Sequence, residues 1–536
     1  MNHHHISIAE TDNPTPLVRD YISNSPQLQP FYNYRPDMDG LRQAASDISN
    51  RSFERTLLVE AIQAQYDESG IQPSHAVKKH LDELMHPSSL TVTTGHQLCL
   101  MGGPLYFIYK ITSAIQLAHQ LREDLKVPVI PVFWMATEDH DFEEIRSFHL
   151  FGKTLTWETD AHGPVGRLKL NGINAVLDEL TTTLGDQANG IALKEIFSSA
   201  LTRSDNMAQF TRHWVHSLFK DQGLVILDAD HPSLKNQFSR IMAEDATTSI
   251  SLKLVEQTSE TLSKYYKLQV TPRPVNLFYI GEGDRERVLA PEETGAANYS
   301  AGKHHPSLTA NELAEMIRQQ PENFSPNVIL RPLYQQVILP NIAYVGGGAE
   351  VAYWMQLKSV FDHCDVFFPA LILRDSAWWI DSGAAAKLEK LGLVWNDLLK
   401  EESTLIKTWL EKNAETEVDY SKAKNAILEI FDKIAEDTKQ IDQSLEKAVG
   451  AEGQKAMKIL EGVESRIQKA AKKKYETSLK QIEQLRRKLY PEGQWQERHD
   501  NFIPLYLKLG PEMIPMMLKD FNPLSHTLKV WVGDHL

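Results

Sequence analysis

The chain has 536 residues, with 56 Lys and Arg against 71 Asp and Glu, which gives a formal net charge of −15. Hydrophobic residues make up 42% and charged residues 24%, a composition that indicates a folded chain of several domains and excludes a disordered one. The acidic balance disfavours nucleic-acid binding, and no segment approaches the roughly 20 apolar residues of a membrane-spanning helix. A small-molecule substrate is therefore the favoured partner.

The first 14 residues lack the basic and apolar regions of a signal peptide, so we expect a cytoplasmic protein. The only cysteines, Cys99 and Cys364, are too few for a disulfide framework or an all-cysteine zinc site. We expect both to be reduced and to pack as small apolar side chains. A thiol nucleophile at Cys99 is the alternative, although the sequence identifies no base for it.

Several short apolar runs alternate with helical patterns, and this alternation predicts an α/β fold with a Rossmann-like parallel sheet. The β-branched run at 90–94 ends at Gly95, and Pro104 fits the first position of a helix that follows. The apolar run at 127–136 ends in the polar sequence TEDHD. Similar runs occur at 223–230, 275–280 and 365–373. Ligands of such sheets bind beyond the carboxyl ends of the strands.

The later part of the chain has a different pattern. Ile427, Ile430, Ile434, Ile441 and Leu445 recur at three- and four-residue steps, and the same rhythm resumes after Gly450 and Gly453, which we expect to interrupt the helix. This predicts an antiparallel coiled coil whose apolar seams pack on each other or on a second chain, as in a homodimer. The predicted domains are a core at 1–383 with insertions at about 153–206 and 235–325, a coiled coil at 384–499, and a segment at 500–536 that packs back on the core.

Gly95, His96 and Gln97 follow the first predicted core strand and precede the helix that begins near Gly103 and Pro104. Helix amino termini attract anions, so Gly95, His96, Gln97 and Gly103 are candidates for binding a substrate or nucleotide. His96 could equally cap or pack the turn. We expect Lys110, further along this helix, to lie on a solvated face.

Glu138, Asp139 and His140 follow the next apolar strand and are the candidate catalytic residues. Carboxylates and an imidazole placed there could orient an amine and take its proton. An exposed acidic helix start is the alternative, and we expect no permanent metal ion.

The segment 324–358 interleaves polar residues with apolar ones, as the wall of a ligand pocket does. Its triple glycine at 346–348 could let the backbone approach a ligand, or could be only a mobile turn. The candidate binding residues of this segment are Arg331, Gln335, Asn341, Gly347, Glu350, Tyr353 and Gln356.

Four segments together resemble the bacillithiol biosynthesis cysteine-adding enzyme family, whose members are cysteine ligases. They are TGHQLCLMGGPLYFIYK, PVFWMATEDHDFEEI, NVILRPLYQQVILPNIAYVGGGAEVAYWMQLK and PEGQWQER. The resemblance implies a core related to class I aminoacyl-tRNA synthetases and a coiled coil that pairs two subunits. It also implies a ligase that forms an amide carbon–nitrogen bond between L-cysteine and the amine of glucosaminyl malate, in the last step of bacillithiol synthesis. This chain has Gly95, His96 and Gln97 where Gly-Gln-Gln is common in the family, so it departs from the family pattern at position 96.

Because a carboxylate is a poor electrophile, this reaction implies that ATP, with any Mg²⁺ carried by it, converts the cysteine carboxylate to an acyl-adenylate or acyl-phosphate. An already activated cysteine is the ATP-free alternative. In this scheme Asp139 or His140 deprotonates the amine, Gln97 and Arg331 hold anionic groups, and Glu350 and Gln356 position the substrate. Two other functions remain open from the sequence, a nucleotidyl or glycosyl transferase and a non-catalytic coiled-coil scaffold with a degenerate nucleotide fold.

Overall fold

A computed structural model describes residues 2–281, 283–413, 420–439 and 441–533 of the chain. The chain forms two compact units, the first comprising Met1–Trp379 with Trp495–Leu536 and the second Ile380–Gln494. Within the described residues, no helix is both long enough and apolar enough to cross a bilayer.

The strands of the described residues are β1 (Asn2–Ser7), β2 (Leu90–His96), β3 (Val129–Met135), β4 (Ser147–Leu150), β5 (Lys153–Thr156), β6 (Val225–Asp228), β7 (Leu277–Tyr279), β8 (Glu286–Leu289), β9 (Tyr299–Ala301), β10 (His305–Leu308), β11 (Phe324–Pro326), β12 (Asn341–Gly346), β13 (Ala370–Leu373), β14 (Ser376–Asp381) and β15 (Thr527–Gly533).

The helices are α1 (Pro16–Ile22), α2 (Met38–Ile48), α3 (Arg55–Glu68), α4 (His75–Leu84), α5 (Tyr106–Leu125), α6 (Phe142–Ile145), α7 (Ile173–Leu184), α8 (Ala188–Thr202), α9 (Met207–Phe219), α10 (Pro232–Thr248), α11 (Ile250–Leu262), α12 (Pro291–Thr294), α13 (Ala310–Gln319), α14 (Arg331–Ile338), α15 (Gly348–Gln356), α16 (Lys358–His363), α17 (Ser382–Lys390), α18 (Glu402–Asn413), α19 (Ser421–Lys439), α20 (Gln443–Lys474), α21 (Glu476–Leu489), α22 (Gln496–His499), α23 (Ile503–Leu509) and α24 (Met513–Asp520).

The centre of the first unit is a five-stranded sheet in the order β13-β12-β2-β3-β6, and every neighbouring pair is parallel. All seven residues of β3 are buried, which explains its unbroken apolar sequence. The chain extends the sheet from β2 toward β3 and β6, and later returns to add β12 and β13 on the other side of β2. The sheet therefore has a topological switch point between β2 and β12, the usual place for a ligand crevice. The predicted Rossmann-like core is confirmed.

Two smaller sheets and a hairpin surround this core. β4 and β5 pair as an antiparallel hairpin, and the antiparallel sheet β10-β9-β8-β7-β11 lies within the stretch between α11 and α14. The amino-terminal strand β1 pairs with the carboxyl-terminal strand β15 in the sheet β1-β15-β14. Lys529 on β15 forms a fully buried ion pair with Asp375, which fixes the end of the chain to the first unit. Residues 534–536 of the predicted carboxyl-terminal segment lie outside the described part.

The second unit contains the predicted coiled coil as the helix pair α19 and α20. Lys424 forms an ion pair with Glu464, and Gly453 packs against Phe431, so the two helices run antiparallel. The predicted interruption at Gly450 and Gly453 is wrong, because both glycines lie inside α20. The turn between α19 and α20 comes earlier, after residue 439, and the missing side chain of Gly453 provides room for the Phe431 ring.

Candidate functional site

A cavity of about 440 Å³ lies at the switch point of the parallel sheet. Its walls come from the ends of β2, β3 and β12, from the first residue of α14 and from the first turns of α5 and α15. Parallel strands end at the same edge, so the polar residues that follow each strand are brought together there.

Nine of the sequence-predicted residues line this cavity. They are Gly95, His96, Gln97, Glu138, Asp139, Arg331, Gly347, Glu350 and Tyr353. They come from stretches more than 200 residues apart in the chain, and the fold brings them into one crevice.

The other predicted residues lie elsewhere. Asn341 is fully buried at the first position of β12, the opposite end of the strand from the cavity, where its Oδ1 accepts a hydrogen bond of 2.8 Å from Thr93. Gln356 ends α15 and accepts hydrogen bonds from the backbone of Gln269 and Val270. Neither lines the cavity, so the positioning role that the sequence suggested for Gln356 has no geometric support.

Gly103, Gln335 and His140 also lie outside the lining. Gly103 adopts φ 53°, and a side chain there would collide with Cys99, so the turn before α5 requires glycine. Gln335 is buried on α14. Its Oε1 accepts a hydrogen bond of 3.1 Å from Arg331 Nη1, and this bond orients the guanidinium. His140 is half exposed beside the cavity, and its Nδ1 lies 2.7 Å from Arg285 Nη1.

Lys110 is buried, contrary to the sequence-based expectation of a solvated residue. Its Nζ donates to the carbonyl of Gly95 and lies 2.7 Å from Glu350 Oε2. Tyr344 donates to the other oxygen of Glu350 at 2.6 Å, and the Gly347 amide donates to Oε2 at 2.8 Å. Burial would raise the pKa of Glu350, but the Lys110 ammonium and these donors outweigh it and lower the pKa to about 2.

His96 is enclosed by aromatic rings, with Tyr106 and Phe107 at centroid distances of 5.3 and 4.9 Å. Burial and the nearby Lys110 ammonium lower its pKa to about 3, so the imidazole is neutral at pH 7. Burial also raises the pKa of the Cys99 thiol to about 12. A neutral thiol is a poor nucleophile, which argues against the Cys99 alternative.

Both carboxylate oxygens of Asp139 accept hydrogen bonds. Gln97 donates to Oδ2, while the backbone amide of His140, at 2.7 Å, and Arg285 Nη1, at 3.3 Å, donate to Oδ1. Burial raises the pKa of Asp139, but Arg285 and the hydrogen bonds lower it more, and the net shift is downward. Asp139 is therefore an ionised carboxylate at neutral pH and links the ends of β2 and β3.

Glu138 is the cavity-lining member of a buried charge cluster. Lys235 Nζ lies 2.7 Å from Glu138 Oε1 and 2.8 Å from Asp230 Oδ1. Arg167 binds Asp230 through two hydrogen bonds of 2.8 and 3.0 Å. Burial raises the pKa of Glu138 even though Lys235 opposes it, so this carboxyl binds a proton more readily than Asp139 does.

Arg331 is a cation of the cavity wall that lies among aromatic rings. Its guanidinium lies 5.6 to 5.9 Å from the ring centroids of Trp134, Tyr344 and Trp354, and no Asp or Glu of the described residues lies within 4 Å of its nitrogens. Its only side-chain partners there are Gln335 and, at 3.5 Å, Tyr353. A partly buried guanidinium of this kind is suited to a carboxylate or phosphate of a ligand.

Two further arginines, Arg374 and Arg498, line the cavity and were not among the predicted site residues. Arg374 directly follows β13 and forms a buried ion pair of 2.7 Å with Glu497. The only sequence signals were the position of Arg374 at the carboxyl end of a strand and the presence of Arg498 within the PEGQWQER segment. Arg285, in the loop between β7 and β8, gave no signal because nothing in its neighbourhood resembles a site.

Among the described residues, no group of three or more His, Cys, Asp or Glu side chains is arranged to hold a metal ion. The charged residues of the cavity are instead five cations, Lys110, Arg285, Arg331, Arg374 and Arg498, and four carboxylates, Glu138, Asp139, Glu144 and Glu350. The arrangement fits small ligands that carry both anionic groups and an amine.

A parallel sheet with a polar, charged cavity at its switch point is the arrangement of the Rossmann-like α/β proteins, whose ligands bind at that edge of the sheet. The chain matches the family model described as bacillithiol biosynthesis BshC, N-terminal Rossmann-like domain, over residues 1–375. It matches the BshC C-terminal coiled-coil domain over residues 377–531. The chain therefore belongs to the bacillithiol biosynthesis BshC family, and the family prediction from sequence is confirmed.

Full-length relatives agree with this assignment. The chain is 38% identical to a protein of Flavobacterium johnsoniae over 519 residues, and 37% identical to one of Flavobacterium psychrophilum over the same length, with 96% of each chain covered. A Bacillus cereus relative is 28% identical over 536 residues, covering 97% of each. All three carry the name "Putative cysteine ligase BshC". These matches favour neither the transferase nor the scaffold alternative.

Proposed function

We propose that the protein is a cysteine ligase that joins the carboxyl group of L-cysteine to the amine of glucosaminyl malate, forming the amide bond of bacillithiol. The observation that carries this proposal is the convergence of Arg331, Glu138 and Asp139 on one cavity, in a member of the BshC family. One side of the reaction needs a cation to hold carboxylates, and the other needs a carboxylate to receive a proton from an amine.

Arg331 supplies the cationic side. Burial among aromatic rings carries a desolvation cost for the guanidinium, and a ligand carboxylate or phosphate would offset that cost. Glucosaminyl malate carries two carboxylates and cysteine carries one. We assign one of these anionic groups to Arg331, with Gln335 and Tyr353 holding the guanidinium in place.

The amine side lies at the end of β3. Glu138 and Asp139 both line the cavity there, and an ammonium group placed between them would be attracted by both. One of the two carboxylates then accepts the proton that the amine must lose before it can attack.

ATP is the proposed activating substrate, and it would supply the energy to convert the cysteine carboxylate into a mixed anhydride. Lys110, Arg374 and Arg498 are cations at the end of the cavity near α5, and they would hold its phosphates together with any Mg²⁺ that accompanies them. Lys110 and Arg374 are already paired with Glu350 and Glu497, so they are oriented before a ligand arrives.

We also propose that the protein acts as a cytoplasmic homodimer. Ile430, Ile434 and Ile441 of the heptad seam are 57, 41 and 79% exposed, which leaves an apolar stripe on the helical hairpin that a second copy would cover. Both cysteines are free, as expected for a reducing compartment.

The test is to incubate the purified protein with cysteine, glucosaminyl malate and ATP and to follow the products by mass spectrometry. Cysteine labelled with ¹⁸O in its carboxyl group reports the route, because one labelled oxygen passes to AMP if an adenylate forms and to phosphate if an acyl phosphate forms. Amide product that depends on ATP supports the proposal. A nucleotide-sugar product would support a transferase, and no product under any condition would overturn the ligase.

A further inference from the structure

Two adjacent carboxylates, Glu138 and Asp139, line the cavity at the end of β3, and they differ in their contacts. We propose that Glu138 accepts the proton from the substrate amine, and that Lys235, a buried residue outside the cavity, is the positioning residue that keeps Glu138 ionised. This inference rests on the proposed ligase function and deepens it.

The first argument is the geometry of Lys235. Its side chain is buried on α10, and its ammonium donates hydrogen bonds to Asp230 Oδ1 at 2.8 Å and to the carbonyl of Glu322 at 3.1 Å. It also forms an ion pair with Glu138 Oε1 at 2.7 Å. Lys235 cannot turn toward the cavity without breaking a buried ion pair, and Glu138 is the cavity-lining residue with which it pairs.

The second argument is the difference between Glu138 and Asp139. Both oxygens of Asp139 accept hydrogen bonds, from Gln97 on one side and from His140 and Arg285 on the other. Glu138 forms an ion pair with Lys235 through Oε1, and no described residue donates a hydrogen bond to its Oε2. A general base must present a free lone pair to the substrate, and Glu138 has one.

The third argument is the charge balance around Glu138. The titratable and charged groups that face it are Lys235 on α10, Asp228 and Asp230 at the end of β6, Arg167 before α7, Arg285 between β7 and β8, Tyr334 on α14 and the neighbouring Asp139. Burial raises the pKa of Glu138, Lys235 lowers it, and Asp230 raises it. Arg167 binds Asp230 through both of its oxygens and so limits the repulsion between Asp230 and Glu138. The Lys235 ammonium is therefore the main group that keeps Glu138 charged.

The proton-transfer step follows from this arrangement. The substrate ammonium gives one proton to Glu138 Oε2, and the freed nitrogen lone pair forms the new bond to the carbonyl carbon of the activated cysteine. The bond from that carbon to the phosphoryl oxygen breaks, and AMP or phosphate departs with the electron pair. The second amine proton leaves to solvent. Glu138 then returns its proton to solvent, so it is unchanged after each turnover.

The experiment measures kcat/KM as a function of pH for the purified full chain. In Lys235→Met the carboxyl of Glu138 loses its counter-ion, so we expect the acidic limb of the profile to move to higher pH by one unit or more. Lys235→Arg keeps the positive charge, so its acidic limb should lie close to the wild-type position. Glu138→Gln should lower kcat by roughly 100-fold or more with a small change in KM.

Lys529→Met is the matched control, because Lys529 is also a fully buried lysine paired with a carboxylate, but it lies at β15 and does not line the cavity. It should lose stability and keep the position of the acidic limb. An unmoved limb in Lys235→Met, or equal displacement in Lys529→Met, would overturn the proposal. If Lys235→Met does not fold, the Glu138→Gln variant provides the test. An unchanged kcat and an unchanged pH profile in that variant would show that Glu138 is not the proton acceptor.

A readout without substrate separates this inference from the ligase proposal. Infrared difference spectra between the wild type and Glu138→Gln isolate the carboxyl band of Glu138, and its titration can be repeated in the Lys235→Met background. A higher titration midpoint without Lys235 supports the positioning role even if no amide product is ever found. Absence of product in the wild type contradicts only the proposed function.

Discussion

Lys110 Nζ lies 2.7 Å from Glu350 Oε2, so the helix that follows β2 is joined to the helix that follows β12 by a buried ion pair directly at the switch point. The same ammonium donates to the carbonyl of Gly95, and Glu350 accepts from the amide of Gly347. One pair of charges thus fixes the two loops that open the cavity, and removing Glu350 would leave the buried Lys110 ammonium without this counter-ion.

This pair makes the stability of the protein depend on acidic pH. The pKa of Glu350 is about 2 in the folded chain and close to 4.5 in the unfolded chain, so its contribution is present above about pH 4.5 and is lost as the pH falls toward 2. We expect the free energy of unfolding, measured by denaturant titration between pH 7 and pH 3.5, to fall less steeply below pH 5 in Glu350→Gln than in the wild type. Glu315→Gln, at an exposed carboxylate, is the control and should leave the slope unchanged. Equal slopes in all three proteins would contradict this account.

Arg331 should matter for binding more than for folding. Replacing it by Met removes the charge-assisted bond to a substrate anion, a loss of roughly 1.5 to 3 kcal/mol, so we expect KM for one substrate to rise about 10- to 100-fold. The change should have only a small effect on stability, because the residue is only partly buried and its closest polar side-chain partner among the described residues is the neutral amide of Gln335. Steady-state kinetics and thermal melting measure the two effects.

Two variants sharpen that test. Arg331→Lys keeps the charge but lacks the planar pair of donors, and it should recover only part of the affinity. Arg318→Met removes an exposed arginine that pairs with Glu315 on α13, and it should change neither KM nor stability. A marked loss of stability in Arg331→Met with unchanged KM would show that the residue is structural.

Both cysteines should be unreactive in the folded protein. Burial raises the pKa values of Cys99 and Cys364 to about 12, so very little thiolate is present at pH 7.5. We expect a thiol reagent to label the native protein slowly and to label two thiols per chain rapidly once it is unfolded. Cys99→Ala should retain ligase activity. Rapid inactivation of the native enzyme by labelling at Cys99 would restore the nucleophile hypothesis.

The sequence located the site through the polar residues that end β2 and β3, because a buried strand seldom stops at a cluster of charges unless a ligand or solvent meets them there. It also contained a signal that could have excluded Asn341, which begins the strand β12 and so lies at the edge opposite to the cavity. The sequence stretch around Asn341 looked like a pocket wall because polar residues are frequent in it, but strand direction decides which of them reach the ligand.

The partners that tune the site could not be read from sequence. Lys235 and Arg285 approach Glu138 and Asp139 from elements roughly 100 and 150 residues further along the chain, and their local patterns are those of an ordinary helix and a loop. Lys110 was expected to be solvated because a lysine on a helix usually is. Its burial follows from a distant carboxylate, Glu350, and only tertiary structure shows that the two meet.

Gly450 and Gly453 test the packing of the helical hairpin, because they lie three residues apart within α20 and differ in their surroundings. A Cβ added at Gly450 meets no atom within 4 Å, so Gly450→Ala should stabilise the second unit by about 0.5–1 kcal/mol through helix propensity. A Cβ at Gly453 would lie 3.1 Å from Phe431 Cβ, so Gly453→Ala should gain less or lose stability. Urea unfolding followed by circular dichroism at 222 nm measures both. Equal stabilisation by the two substitutions would show that Phe431 does not pack on Gly453, and would remove one of the two contacts that define the antiparallel pairing of α19 and α20.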